Sequence, residues 1–374
     1  MSELSWQTEI DQIEGLPEIF KTGERQAFYE EHLLVTDPPH ERASQSRLDY
    51  DFHRMRRGEL RYIARVDDAG LLGEGGVARV CRGYDAKMRR DVAVKRLKYK
   101  GGWPHRILEL EAKLMARAKH PGVVPVYDYT SYYGHPTVIM PYMDPERYAQ
   151  LDEWIGPQSS RSIEDKLTVL RSVAKIIDDL ARVTADFAPK KRNNSKITEE
   201  KIFHKDLKPS CIYIDRETLQ VQISDFGFGY VSQLGGKPFV FTTESYCSPD
   251  APMAVRLEEW LIESEVFTLG LIAYELLLGK LPPLYEGRRI TDYINPLDSD
   301  KIRVLDQLLH PRYVPLQKSI DAQAAEDTFG EDCIPEVNKV FKRVFQERYT
   351  RRYHSAGEFI TAPYQALAKK GVSK

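Results

Sequence analysis

The sequence predicts an α+β protein of two lobes, a small β-rich N-lobe and a larger helical C-lobe. Between about residues 62 and 143, short segments rich in β-branched residues alternate with turn residues. After Asp144, longer segments with helical periodicity dominate. A chain of 374 residues is long enough for two lobes with a substantial core.

Residues 1–61 form a polar N-terminal extension, which we expect to be a helical cap on the N-lobe. Two amphipathic stretches, around Glu9–Phe20 and Glu24–Leu34, favour helices there. Prolines at 38 and 39 then break the pattern, because proline removes a backbone donor and restricts its predecessor.

The N-lobe, residues 62–143, is predicted to be an antiparallel meander with one helix over Pro104–Lys119. The C-lobe is predicted to span residues 144–365, and residues 366–374 form a short tail. The N-lobe strands are predicted at Tyr62–Val66, Val77–Tyr84, Asp91–Leu97, Val123–Tyr127 and Pro136–Tyr142. The C-lobe helices are predicted at Ser162–Val183, Glu265–Leu278 and Pro335–Gln346.

Composition narrows the classes of partner. A net charge of −2 favours neither nucleic acid nor an anionic membrane as a partner. The four cysteines lie far apart without a Cys-x-x-Cys pair, which argues against a zinc site or a disulfide scaffold and favours reduced thiols in a cytoplasmic protein. The polar N-terminus does not resemble a signal peptide, and the longest apolar stretch, Val266–Gly279, is too short to span a bilayer, so we expect no membrane partner.

A glycine-rich segment, Gly73-Glu74-Gly75-Gly76, lies between two predicted strands. Glycines let a backbone approach a bulky anion and direct N–H groups at phosphate oxygens. An ordinary hairpin turn is the alternative, whereas a dinucleotide-binding loop is disfavoured because a strand and not a helix follows.

About twenty residues after this segment, Lys95 stands among apolar neighbours in Val92-Ala-Val-Lys95, so its charge needs a partner.

Three segments in order along the chain resemble those of a known family: Val92-Ala-Val-Lys95, His204-Lys-Asp-Leu-Lys208 and Asp225-Phe-Gly227. They are similar to the strand lysine, the catalytic loop and the metal-binding segment of eukaryotic-like Ser/Thr protein kinases, with bacterial-type members most similar. The resemblance covers roughly residues 62–365 and implies a two-lobed protein kinase-like fold.

The resemblance also implies a site for ATP and Mg²⁺, or Mn²⁺ in its place. Asp206 would orient the substrate hydroxyl and accept its proton, and Lys208 would steady the γ-phosphate, as in kinases that act on serine and threonine. Lys95, paired with Glu111, would hold the α- and β-phosphates, and Asp225 would bind the metal. The resemblance places the expected nucleotide contacts on the glycine-rich segment, the strands beside it, the hinge at Met140–Met143 and one residue after the catalytic loop. These contacts are Gly73, Glu74, Gly75, Gly76, Val80, Ala93, Lys95, Met140, Tyr142, Met143 and Tyr213.

Several positions depart from the family pattern. Cys211 stands where the family has an asparagine whose carbonyl oxygen binds a second Mg²⁺, and a soft thiol is a poor magnesium ligand. Tyr213 replaces the compact residue under the adenine, where a ring could stack on the base or crowd it. Glu265 replaces a helix aspartate that braces the catalytic loop, Lys205 replaces an arginine, and Ala78 takes the place of a third glycine.

The segment Thr243–Asp250 is similar to the end of a kinase activation segment, in which Asp250 would pair with Arg352. The resemblance therefore implies an ATP-dependent kinase that phosphorylates serine or threonine in protein substrates, itself included. The departures keep a second class open, a pseudokinase scaffold that binds nucleotide or a partner and transfers little phosphate. A small-molecule phosphotransferase is disfavoured, because small-molecule phosphotransferases that resemble protein kinases rarely keep both the Lys-Pro and the Thr-x-x-Tyr-x-Ser-Pro segments.

Overall fold

The chain in this computed structural model divides into two compact units. Unit 1 consists of Met1–Arg117 and Val124–Asp144, and unit 2 consists of Ala118–Val123 and Pro145–Lys374. The finer boundaries predicted at residues 61 and 365 stay predictions. The structure describes residue 17 and residues 32–36, 60–65, 68–75, 78–98, 103–132, 135–156, 159–182, 201–226, 230–231, 244–246, 248, 261–282, 285–286, 312–313, 328, 331–346 and 348–368.

Unit 1 is built on one seven-stranded antiparallel sheet. Its strands are β1 (His32–Thr36), β2 (Leu60–Arg65), β3 (Leu71–Glu74), β4 (Ala78–Asp85), β5 (Arg90–Leu97), β6 (Asp128–Tyr132) and β7 (His135–Pro141). The strand order is β1-β2-β4-β5-β7-β6, with β3 also paired to β4. Helix α1 (Trp103–Ala118) follows β5. The β-rich N-lobe predicted from the sequence is thus confirmed.

Two predictions in this unit are wrong, one of them in part. The helix expected over Glu24–Leu34 does not reach its predicted end, because His32–Thr36 is a strand that pairs with β2. The rest of that helix and the Glu9–Phe20 helix lie outside the described residues apart from Pro17. The strand predicted at Val123–Tyr127 is wrong: the strand in this part of the chain is Asp128–Tyr132, and Pro125 has no N–H to donate to a neighbouring strand.

One face of this sheet is packed by a cluster of apolar and aromatic side chains from its central strands. The cluster consists of Tyr62, Ala64, Val92, Val94 and Ile139, none of them more than 1% exposed. Burial of this face fixes the strand register, because a shift of one residue would turn the whole set toward the opposite face.

Gly83 in β4 has no room for a side chain. A Cβ atom there would lie 2.6 Å from Val94 Cγ2 and 2.9 Å from Ile63 O. Gly83→Ala should therefore lower the free energy of unfolding by about 1–3 kcal/mol, measured by urea denaturation. Gly73→Ala is the control, because a Cβ at Gly73 meets no described atom within 4 Å. Equal stability of the two variants would show that Gly83 is not a packing residue.

Unit 2 is mainly helical, as the sequence predicts for the C-lobe. Its helices and strands are β8 (Tyr148–Gln150), α2 (Ile163–Leu180), β9 (Ile202–Phe203), β10 (Ile212–Asp215), β11 (Val221–Ile223), β12 (Tyr230–Val231), α3 (Ile262–Leu278), β13 (Tyr285–Glu286), β14 (Arg312–Tyr313), α4 (Ile334–Val344) and α5 (Ala356–Ala368). The three predicted helices correspond to α2, α3 and α4. Among the described residues no helix is long and apolar enough to cross a membrane.

Most side chains of helix α3 are buried, and the helix contacts α2, α4 and α5. At Gly270 the helix approaches Val344 so closely that an added Cβ would lie 2.9 Å from that side chain. Arg352, which is fully buried, donates hydrogen bonds to Gln346 O at 2.7 Å and to Glu263 O at 3.2 Å, which ties the chain before α5 to the start of α3. Its predicted partner Asp250 lies outside the described residues.

Candidate active site

Lys95 and Glu111 form a close ion pair inside unit 1. Lys95 Nζ lies 2.6 Å from Glu111 Oε1 and 2.8 Å from Oε2. The two side chains are 13% and 3% exposed. Strand β5 carries the lysine and α1 carries the glutamate, so the buried charge expected to need a partner has one. Their role toward ATP stays a prediction.

Four predicted nucleotide contacts share one face of the sheet. Val80 in β4 pairs directly with Lys95, and Ala93, two residues before Lys95, pairs directly with Met140 in β7. Directly paired residues, and residues two apart on a strand, project on the same side. The register therefore groups these side chains on the face opposite the apolar cluster.

The glycine-rich segment forms a tight hairpin between β3 and β4. Gly75 N donates to Ala78 O at 2.9 Å, so this amide is used within the hairpin and not presented to a ligand in this conformation. A Cβ at Gly73 or Gly75 would meet no described atom closer than 3.8 Å, so internal packing does not require either glycine. Glycines let a backbone approach a bulky anion, and the phosphate contact expected of this segment stays a prediction. Gly76 lies outside the described residues.

Glu74 is committed to the hairpin through its side chain. Its carboxylate is 3.0 Å from Arg79 Nε and also pairs with Lys98. Hydrogen bonds from Lys98 and Arg79 hold the pKa of Glu74 below its usual value. The side chain of Glu74 is thus engaged by two cations, and its contact with nucleotide stays a prediction.

The predicted hinge follows β7. Met140 is buried, whereas Tyr142 and Met143 are half-buried. The guanidinium of Arg82 lies 4.7 Å from the centre of the Tyr142 ring, which fixes that ring by a cation–π contact. Pro141 offers only a carbonyl oxygen, so the backbone donors expected here belong to Tyr142 and Met143.

In unit 2, Asp206 and Lys208 face each other on the predicted catalytic loop. Lys208 Nζ lies 3.2 Å from Asp206 Oδ2, and the aspartate is 6% exposed. Burial lowers the pKa of Lys208, but the charges near it, led by Asp206, outweigh burial and raise that pKa overall. Lys208 therefore stays a cation at neutral pH and compensates the charge of Asp206.

Two buried contacts hold the backbone of this loop. Glu265 Oε1 in α3 accepts a hydrogen bond of 2.9 Å from Lys205 N, and a ring nitrogen of His204 lies 2.8 Å from Ser224 O. The His204 ring also packs on Phe226, with centroids 4.5 Å apart. Lys205 adopts φ of 67°, an uncommon conformation for a side-chain-bearing residue that such contacts stabilise. The bracing role predicted for Glu265 is thus confirmed, whereas the Ser224 contact was not predicted.

Removal of the Glu265 carboxylate should loosen the loop. Glu265→Ala leaves the buried Lys205 N–H without this acceptor, and we expect the free energy of unfolding to fall by about 1–3 kcal/mol in urea titrations. Glu265→Gln is the matched control, since its amide oxygen can still accept the bond and should keep most of the stability. A glutamine variant as unstable as the alanine variant would argue against this hydrogen bond.

Cys211 lies close to Asp225 and to the backbone of the catalytic loop. Cys211 Sγ, fully buried, is 3.8 Å from Asp206 O and 4.0 Å from Asp225 Oδ2. Asp225 has φ of 65°, a second strained position. Among the described residues no group of three or more His, Cys, Asp or Glu side chains could hold a metal ion. A single carboxylate such as Asp225 still fits Mg²⁺, which takes most of its ligands from phosphates and water, whereas the thiol does not fit.

Tyr213 is held by a residue that the sequence analysis did not single out. It pairs with Gln150 across β10 and β8. Gln150 Nε2 donates to Ser210 O at 2.8 Å and to the Tyr213 hydroxyl at 3.4 Å. The Tyr213 ring is therefore tethered at its polar end, and its contact with adenine stays a prediction. No local sequence signal joins residues more than sixty positions apart.

The predicted activation segment is described only at residues 244–246 and 248, so Thr243 and Asp250 lie outside the described residues. The hydroxyl of Tyr246 donates to Glu275 Oε2 at 2.5 Å, and Thr268 Oγ1 donates to Tyr246 O at 3.0 Å. Burial and the Glu275 carboxylate raise the pKa of Tyr246, which keeps the hydroxyl protonated as the donor. The end of this segment is thus attached to α3.

Comparisons with known proteins agree with these features. A model described as the protein kinase domain matches residues 66–364. The probable serine/threonine-protein kinase PBL5 of Arabidopsis thaliana is 28% identical over 256 residues, which are 65% of this chain and 56% of that protein. The serine/threonine-protein kinase pkn2 of Myxococcus xanthus is 26% identical over 227 residues, 56% of this chain and 24% of that protein. The probable serine/threonine-protein kinase pknA2 of Bifidobacterium longum is 26% identical over 220 residues, 56% of this chain and 26% of that protein.

Plant and bacterial proteins thus match at similar identity, and the likeness is not confined to bacterial-type members. The chain spans about half the length of the plant relatives PBL5 and PBL7, at 56% and 52%, and about a quarter of the two bacterial ones.

Proposed function

Because the chain belongs to the protein kinase family, we propose that it transfers the γ-phosphoryl group of ATP to serine or threonine hydroxyls of protein substrates, its own included. The observation that carries the proposal is the pairing of Asp206 with Lys208 at 3.2 Å, on a loop that Glu265 and His204 hold in place. A buried carboxylate with a fixed cation beside it is equipped to orient a hydroxyl next to a phosphate.

Each charged side chain has a task in the proposed reaction. Asp206 orients the acceptor hydroxyl and takes its proton, and Lys208 stabilises the negative charge on the transferred phosphoryl group. Lys95, held by Glu111, binds the α- and β-phosphates, while Asp225 holds Mg²⁺. The ion supplies positive charge that neutralises the phosphate oxygens. Positioning and charge stabilisation are most of what phosphoryl transfer requires of a protein.

Transfer from γ-labelled ATP tests this proposal. The full chain is incubated with labelled ATP, Mg²⁺ and casein as a general acceptor protein, and the labelled proteins are hydrolysed to amino acids. We expect phosphoserine or phosphothreonine on casein, on the chain itself, or on both. Label on tyrosine alone would contradict the proposed substrate class, and an absence of label would contradict catalysis.

A nucleotide-binding scaffold with little transfer is the second candidate, favoured by the thiol of Cys211 beside Asp225. This candidate predicts that the chain binds ATP and leaves it intact. The charged groups that the reaction needs argue for catalysis, because all five are present. Four of them form two close pairs, Lys95 with Glu111 and Asp206 with Lys208, and the fifth is Asp225. Binding and transfer measured on one preparation separate the two candidates.

A further inference from the structure

Cys211 places sulfur where a second divalent ion would need oxygen. From its contacts we infer that the chain holds one Mg²⁺ with its nucleotide, on Asp225, and that Cys211 excludes the second ion that the kinase family uses. The inference rests on the proposed function, because it concerns the ion that accompanies ATP.

The chemistry of the thiol is the first reason. Mg²⁺ demands oxygen ligands at about 2.0–2.1 Å, whereas the sulfur of cysteine is a soft ligand. Cys211 is fully buried, and its Sγ lies 3.8 Å from Asp206 O and 4.0 Å from Asp225 Oδ2. The single S–H proton can point at only one of these two oxygens. Whichever oxygen it faces, the atom at this position is sulfur and not a ligand oxygen.

The second reason is the state of the Asp225 carboxylate. Its Oδ2 accepts from Ser224 Oγ at 3.4 Å and lies 4.0 Å from Cys211 Sγ. A second ion bound through Oδ2 would have to displace the Ser224 hydroxyl and would meet sulfur instead of an amide oxygen. A single ion on Asp225 needs no ligand at the position of Cys211. The contacts therefore favour a single ion over two.

Nucleotide affinity measured at different concentrations of free Mg²⁺ shows whether a second ion binds, and this measurement does not depend on catalysis. The probe is the β,γ-imido analogue of ATP, which is not hydrolysed, titrated onto the full chain by calorimetry. Between about 1 and about 10 mM free Mg²⁺ the analogue is already the magnesium complex, and any further rise in affinity reports an additional bound ion. We expect the affinity of the unaltered chain to change less than about twofold over this range.

Cys211→Asn restores an amide oxygen, and the affinity of that variant should rise by up to about tenfold over the same range. Cys211→Ala is the matched control, since it removes the thiol without adding an oxygen, and it should behave like the unaltered chain. A clear rise in the unaltered chain itself would overturn the inference, whatever the variants do. If the unaltered chain binds no analogue at any Mg²⁺ concentration, nucleotide binding and hence the proposed function fail, and the inference fails with them.

Discussion

Replacement of Asp206 by asparagine should lower phosphoryl transfer to an acceptor protein about 10²–10⁴-fold. The amide has nearly the same size as the carboxylate, but it cannot take the proton of the acceptor hydroxyl and no longer compensates Lys208, 3.2 Å away. Nucleotide affinity should stay within about threefold, because this residue acts on the acceptor and not on ATP. Initial rates with saturating labelled ATP measure the first effect, and titration with the imido analogue measures the second.

Asp179→Asn provides the control for this substitution. Asp179 lies in α2 of the same unit, where its ion pair with Lys175 and its hydrogen bond with His120 are partly exposed and contribute little to stability. Its asparagine variant should transfer phosphate at the rate of the unaltered chain. An Asp206→Asn variant that also transfers phosphate at that rate would show that Asp206 takes no part in the reaction.

Replacement of Lys95 by methionine should cost both stability and transfer. The Glu111 carboxylate, 3% exposed, would be left buried without its cation, and breaking a buried pair in this way costs about 3–5 kcal/mol. Transfer should become undetectable, because the same change removes the charge that binds the phosphates. Urea denaturation and the labelled-ATP assay measure the two effects on one preparation.

The double variant Lys95→Met with Glu111→Leu distinguishes structure from function at this pair. Two apolar groups in place of a buried ion pair are often neutral for stability, so the double variant should recover most of what the single variant loses. Transfer should remain absent, because no cation returns. Recovery of transfer together with stability would mean that the pair serves only to hold unit 1 together.

Local sequence pattern predicted the strand that carries Lys95 and the helix that carries Glu111. Lys95 stands among apolar residues of a strand, and a buried charge there needs a partner. Helical periodicity predicted the helix that carries Glu111, whereas the choice of Glu111 as the partner came from the resemblance to protein kinases; the structure confirms the pair. Apolar pattern predicted the buried helix α3, whereas the bracing position of Glu265 was implied by the resemblance and is confirmed by its contact with Lys205 N.

Contacts between distant segments could not be predicted in this way. β1 forms by pairing with β2, so its strand character comes from partners between 24 and 33 positions along the chain. His32 lies opposite Arg65 at one end, and Thr36 lies opposite Leu60 at the other. The tether between Gln150 and Tyr213 likewise depends on the pairing of β8 with β10. The ion pairs of Glu74 were missed because a glycine-rich segment indicates backbone geometry and says nothing about the side chain between its glycines.

A single-turnover experiment separates a kinase from a nucleotide-binding scaffold most directly. The full chain, in excess over γ-labelled ATP, is mixed with Mg²⁺ and casein, and the label is followed from ATP to protein. We expect the bound label to move onto serine or threonine side chains in the unaltered chain and to stay in ATP in Asp206→Asn. Recovery of bound ATP intact from the unaltered chain, at the level of that variant, would contradict the proposal that this chain is a working kinase.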